Sequence, residues 1–227
     1  SPARGGEPGD AAMQPGELAV EDECAERAAG EGAGEGAGPA AAEDTSAPSA
    51  ASPAADAHAL GKRRDEAAAL VALGRNTFVE TFGHLYAPED LSYFLRTSYD
   101  ERTVAAQLSS DRFVMRVAEE AGELIGFCKM GLDMTLDYDS GSHRAIELKQ
   151  LYVFGTYHGS GVGQTLMDWA ISEATARQAD EIVLSVWSGN AKGHRFYQRN
   201  GFRWVGDTYF MVGNHRDDEF LYRRILR

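Results

Sequence analysis

Three glycines at alternate positions, Gly159, Gly161 and Gly163, separate an apolar run ending in Leu151, Tyr152 and Val153 from a stretch of helical periodicity. Glycine allows a backbone to turn tightly and lie close to a ligand. The first amide hydrogens of a helix have no partner within it and sit at the positive end of its dipole, so a turn of this kind suits an anion, above all a phosphate. His158, Gly159, Ser160, Gly161, Val162, Gly163 and Gln164 are the residues within reach of such a ligand. Two further residues have types suited to proton transfer. Tyr197 carries a phenol that stays protonated at neutral pH and can donate, having a pKa around 10. Glu147, four residues upstream of Leu151, carries a carboxylate that can accept.

These residues need a sheet and two helices to hold them. Beyond Gly161, positions 163, 166, 167, 170, 171 and 174 form one apolar face, opposite Gln164, Asp168, Ser172 and Glu173, which is the pattern of a helix lying on a sheet. Residues 182–187 read as a buried strand. Asn190 follows as a helix N-cap, then a short helix carrying Phe196 and Tyr197, stopped by Asn200-Gly201. Earlier, helical spacing runs over 65–80 and a second helix starts at Pro88. Two β-like runs over 112–118 and 124–130 flank a Glu-Glu-Ala-Gly turn and suggest an antiparallel hairpin. A polar loop over 132–144 and two final β runs, 203–212 and 219–225, complete a single mixed α/β domain.

Of the known phosphate-binding turns, the P-loop does not fit, because no Gly-Lys-Ser/Thr closes this one. The dinucleotide fingerprint requires glycine where Gln164 stands. The pattern His158, Gly161, Gly163 after L-Y-V instead resembles the acetyl-CoA loop of the GNAT N-acetyltransferase superfamily, in which arginine or glutamine usually holds the first position. Residues 181–202, E-I-V-L-S-V-W-S-G-N-A-K-G-H-R-F-Y-Q-R-N-G-F, are similar to the next motif of that family, in the same order. The resemblance covers about 65–227. The stretch 77–91 and D-T-Y-F-M-V-G at 207–213 look like a bacterial branch that includes polyamine acetyltransferases.

The resemblance implies the GNAT fold, a mixed central sheet of about six to seven strands with helices on both faces. It also implies acetyl-CoA as cosubstrate, a small-molecule primary amine or, secondarily, a peptide as acceptor, and pairing of two copies through the last strands. Its opening strand would have to precede residue 65, where 58–64 makes a poor strand. By the same resemblance, Leu151, Tyr152 and Val153 splay from the neighbouring strand to hold pantetheine and the thioester oxygen, and a β-bulge is the expected means. Tyr197 is then the general acid, unless with Phe196 it only packs the short helix. Asn190 binds the cosubstrate, caps the helix, or does both. Glu147 is the base, or else a solvated or salt-bridged side chain; Lys149 stands where a second acid is expected, which speaks against a two-carboxylate base. Glu80, Asp133, Asp137 and Asp139 would border the acceptor cleft, with Phe78, Phe82 and Tyr86 as an apolar wall or as core. His194, on the short helix beside Tyr197, is a base or, as expected of a short surface helix, solvated. The competing class is a CoA-binding regulator without turnover.

Composition sets the outer bounds. Residues 1–57 are rich in Ala, Gly, Glu and Pro and hold no aromatic residue, so a disordered acidic tail is expected there and the acetyltransferase domain over 58–227. The net charge of −13 resides mostly in residues 1–60, with 12 acidic and 2 basic residues, which argues against nucleic acid as a partner. No apolar stretch approaches the roughly 20 residues of a membrane span, so a cytoplasmic, soluble protein is expected. Cys24 and Cys128 frame no disulfide, and no metal-ligand spacing is present.

Overall fold

A computed structural model describes the backbone of residues 17–19, 56–59, 64–141 and 143–227, with side chains from residue 66 onward except 142. The disordered tail expected over 1–57 falls almost wholly outside the described residues.

The sheet is a continuous path of seven strands in the order β2-β3-β4-β5-β6-β8-β7. These are β2 (Asp56–Ala59), β3 (Phe113–Glu120), β4 (Glu123–Gly131), β5 (Ala145–Val153), β6 (Glu181–Trp187), β7 (Arg203–Val212) and β8 (His215–Ile225). A further strand, β1 (Glu17–Ala19), attaches to β5 off this path. Within the seven-strand path only β5 and β6 run parallel, and β1 also lies parallel to β5. Their antiparallel neighbours fix the mixed sheet expected from sequence. The opening strand that residues 58–64 made doubtful lies slightly earlier, as β2, paired antiparallel to the edge of β3.

Among the described residues, five helices cover the two faces. On one side lie α1 (Arg64–Phe82), α2 (Pro88–Ser98) and α3 (Glu101–Ser109), and on the other α4 (Val162–Ala176) and α5 (Ala191–Arg199). The third of these escaped the sequence reading because nine residues give little periodicity. Its start is set locally, by the Asp100 carboxylate accepting from the Thr103 amide at 3.0 Å. The β3–β4 hairpin closes on Ala121 and Gly122, both with positive φ, the backbone of the primed turns that match strand twist.

Each face has its own core. Under α4 and α5, Leu166, Met167 and Ala170 meet Cys128, Met130, Leu148, Leu151 and Leu184, all buried. Burial pushes the Cys128 thiol far up, so it stays an unreactive packing group. Opposite, Phe78, Phe82, Tyr86 and Phe94 pack with Phe127 and Tyr152, so the aromatic residues of α1 and the segment after it form core. Each such side chain contributes about 1.5–3 kcal/mol when fully buried.

Candidate active site

The parallel strands β5 and β6 hydrogen-bond only from Ala145–Glu147 to residues 181–183. Past that point β6 follows β8 up to Trp187 while β5 stays with β4, and the two diverge. The cause lies in β5. Lys129 faces Gln150 and Met130 faces Leu148, which leaves Lys149 as an extra residue on β5. Such a bulge increases the local twist and re-aims the strand. It sits two residues before Leu151, so the freed edge includes the residues expected from sequence to splay.

That edge accepts an extended chain. Glu17–Ala19 run parallel along it, with Leu18 opposite Leu151 and Ala19 opposite Tyr152. The same segment also touches β6, α1 and α5, so these elements line the opening together with β5.

At the head of the opening, β5 passes through one 3-10 turn, Gly155–Tyr157, into the glycine turn. Gly159 and Gly161 have φ of +78° and +92°, values that favour glycine. A Cβ on Gly161 would meet nothing within 4 Å, so conformation rather than crowding requires this glycine. Residues 159–161 are exposed, and no side chain caps α4. The side chains of the turn are otherwise engaged. His158 Nε2 lies 3.0 Å from the Val153 carbonyl, Ser160 Oγ donates to the Tyr157 carbonyl, and Gln164 Nε2 donates to Asp168 and Asn200. What the turn presents to a ligand is therefore backbone N–H, from the start of α4.

Asn190 caps α5, its Oδ1 accepting from the Gly193 amide at 2.8 Å. Tyr197 lies 0 % exposed on the same helix, edge-on to Phe196 and Phe202. His194, expected to be solvated, instead bridges two groups: Nε2 is 3.1 Å from the Ser188 carbonyl and Nδ1 3.2 Å from the Tyr222 hydroxyl.

The α1–α3 face of the diverging strands carries buried charge. Glu147, 1 % exposed, accepts from Lys149 Nζ at 2.7 Å through one oxygen. Its other oxygen accepts from the Thr135 amide and hydroxyl at 2.8 and 2.9 Å. Glu147 thus forms a buried ion pair with Lys149. On β8, Asp217 Oδ2 accepts from the Tyr86 hydroxyl at 2.5 Å, and Oδ1 lies 3.2 Å from His215 Nε2. Between the two acids sits Glu219, 2 % exposed and hydrogen-bonded to Ser185 of β6. Burial pushes its carboxyl up to about 7; the Ser185 hydrogen bond opposes this, and the charges of Asp217 and Glu147 add to it.

Three of the other acids expected at the cleft have partners within the chain. Glu80 accepts from the Gly155 amide, Asp133 pairs with Arg112 at 2.7 Å, and Asp139 accepts from the Gly141 amide. Asp217, Ser185 and Glu219 were missed. The only signal was phase: positions 217 and 219 alternate with Leu221, which places two carboxylates on the inward side of a strand.

Comparison with known proteins agrees with this geometry. The family model described as "Acetyltransferase (GNAT) family" matches residues 75–202. An uncharacterised N-acetyltransferase in the pepI 3′ region of Lactobacillus delbrueckii subsp. lactis is 24% identical over 156 residues, 69% of this chain and 90% of that protein. The spermine/spermidine N(1)-acetyltransferase of Bacillus subtilis is 31% identical over 90 residues, 39% of this chain and 59% of that protein. Among solved structures, the PaiA N-acetyltransferase of Thermoplasma acidophilum in complex with coenzyme A superimposes with a TM-score of 0.61 at 21% identity, covering 75% of this chain and 98% of that one.

Proposed function

The chain belongs to the GNAT acetyltransferase family and is an N-acetyltransferase, and on that premise we propose that it moves the acetyl group of acetyl-CoA to the primary amine of a small molecule. The observation that carries this reading is the opening between β5 and β6, whose free β5 edge already accepts an extended chain. The pantetheine arm, with its two amides, has the same hydrogen-bonding character as the Glu17–Ala19 segment and would take its place. The backbone amides after Gly161 would hold the diphosphate. Residue 158 contributes through the fold of the turn, because its ring faces back to Val153.

Bound there, acetyl-CoA supplies an activated acyl group. The residues of this chain do the rest. Backbone groups of Leu151, Tyr152 and Val153 orient the thioester. Tyr197 donates its phenolic proton to the departing sulfur. The acidic lining on the α1–α3 face, from β5 and β8, attracts an ammonium and excludes anionic acceptors. A peptide amine remains the secondary acceptor.

Calorimetric titration with CoA, followed by thiol release over polyamines, amino acids and short peptides, tests the reading. Saturable CoA binding with release on small amines supports it. Binding without release on any amine points to a CoA-binding regulator. Tyr197→Phe is expected to lower release by about 10²-fold or more with CoA affinity unchanged; an unaltered rate removes Tyr197 as the donor.

A further inference from the structure

From the geometry of the buried acids we infer that Glu219, rather than Glu147, takes the proton from the acceptor amine. The inference rests on the acetyl-transfer reading above. Its ground is a difference in what three neighbouring carboxylates already hold. Both oxygens of Glu147 are taken, by Lys149 and by Thr135. Both oxygens of Asp217 are taken, by Tyr86 and His215. Among the described residues, Glu219 has the Ser185 hydroxyl as its hydrogen-bond partner and no paired cation. Of these three it is the acid with capacity left for an incoming N–H; Glu181, whose Oε1 also lacks a partner, stands where β5 and β6 still pair, away from the opening.

Position supports the same choice. Ser185 lies two residues past Val183, where β5 and β6 part, and Glu219 faces Trp187 at the far end of β6. Both therefore stand on the splayed half of the sheet. Asp217, two residues along β8 and on the same side as Glu219, is hydrogen-bonded to Tyr86. This face thus turns toward the segment between α1 and α2. The groups around Glu219 are the Glu147–Lys149 pair from β5, Ser185 and Trp187 from β6, Thr208 from β7, Asp217 with its His215 from β8, and Tyr86. The neighbouring carboxylates outnumber the cations, so an arriving ammonium relieves repulsion when it binds.

In the step, Glu219 accepts one proton of the ammonium, breaking N–H and forming O–H. The freed nitrogen pair forms the C–N bond to the acetyl carbon, and the C–S bond breaks. Tyr197 gives its proton to sulfur and regains one from the nitrogen, which loses its second. Glu219 then releases its proton to solvent, so the balance is one ammonium and one thioester to one amide, one thiol and one proton.

Glu219 must be ionised to act, so kcat/KM of the parent should climb with pH through about 7 and fall only as the amine itself loses its proton near pH 10. Glu219→Gln keeps the shape and the Ser185 contact. It should lower kcat/KM by about 10²–10⁴-fold near neutrality and replace the limb with a rise that continues to the amine's own pKa. The loss should shrink for acceptors with an α-amino group of pKa about 8 relative to alkylamines near 10. Glu219→Asp, which keeps the charge but withdraws it by one methylene, should recover part of the rate and the limb. Calorimetric CoA titration of each variant separates a local effect from misfolding. A parent that turns over while Glu219→Gln retains both rate and limb overturns the base assignment alone. A limb lost in Glu147→Gln instead does the same. A parent that binds CoA but releases thiol on no amine overturns the acetyl-transfer reading itself, and the base with it.

Discussion

The two faces of the central sheet are built on opposite principles. Toward α4 and α5 the inward positions of β4, β5 and β6 are apolar: Cys128, Met130, Leu148, Leu151, Ile182, Leu184 and Val186. Toward α1 to α3 the same strands and β8 bury Lys129, Glu147, Lys149, Gln150, Ser185, Asp217 and Glu219. Burying a charge is costly unless it is paired. The apolar face carries no such cost and serves as a rigid bed for the glycine turn and Tyr197. The polar face accepts the cost where the strands part, which is where a reaction on an amine needs charge.

The largest effect should come from unbalancing the polar face. Lys149→Met leaves Glu147 buried with Thr135 alone and should cost about 3–5 kcal/mol in urea denaturation. The double replacement Glu147→Leu with Lys149→Met should cost far less, and equal losses in the two would break the comparison. On the apolar face, Leu166→Ala should cost about 2–5 kcal/mol through its cavity. Because its core neighbours do not ionise in the working range, that loss should be the same at pH 5 and pH 8.

The third effect sharpens the difference through pH. The folded-state pKa of Glu219, about 7, lies above the ordinary value near 4.3 for an unfolded chain. The folded state therefore holds the proton more tightly. This contribution to stability is complete below about pH 4 and is lost as pH rises through 7, a change on the order of 3 kcal/mol. Glu219→Gln removes the titration. The variant should unfold at a higher urea concentration than the parent at pH 8, and the two should converge at pH 4; a constant offset at both pH values argues against a buried, perturbed carboxyl. The smallest effect belongs to the turn. Gly161→Ala forces a left-handed φ of +92° on a residue with a Cβ, costing about 1–2 kcal/mol. It should also weaken CoA in calorimetric titration, as the amides beyond it lose their aim.

How much was legible follows the same division. The glycine turn, α4, β6, the Asn190 cap and Tyr197 are consecutive in the chain, and their signals are local: a positive φ, an N-cap, a 3.6-residue repeat. The bulge was foreseen as a device, but its place at Lys149 depends on pairing with β4, a register that no local signal carries. Glu147 was legible as an acid near the strand end, but that Thr135 and Lys149 occupy its oxygens depends on the fold. Glu219 was not singled out at all, because Ser185, Glu147 and Asp217 reach it from β6, β5 and along β8.

By itself the sequence determined the family, the order of the elements other than α3, and the glycine turn, since these rest on backbone conformation and periodicity within short spans. Only the tertiary structure decided which carboxylates are neutralised and which keeps a vacant lone pair. Desolvation and pairing depend on distances between strands, and residues 147, 185 and 219 acquire those distances only when the sheet closes.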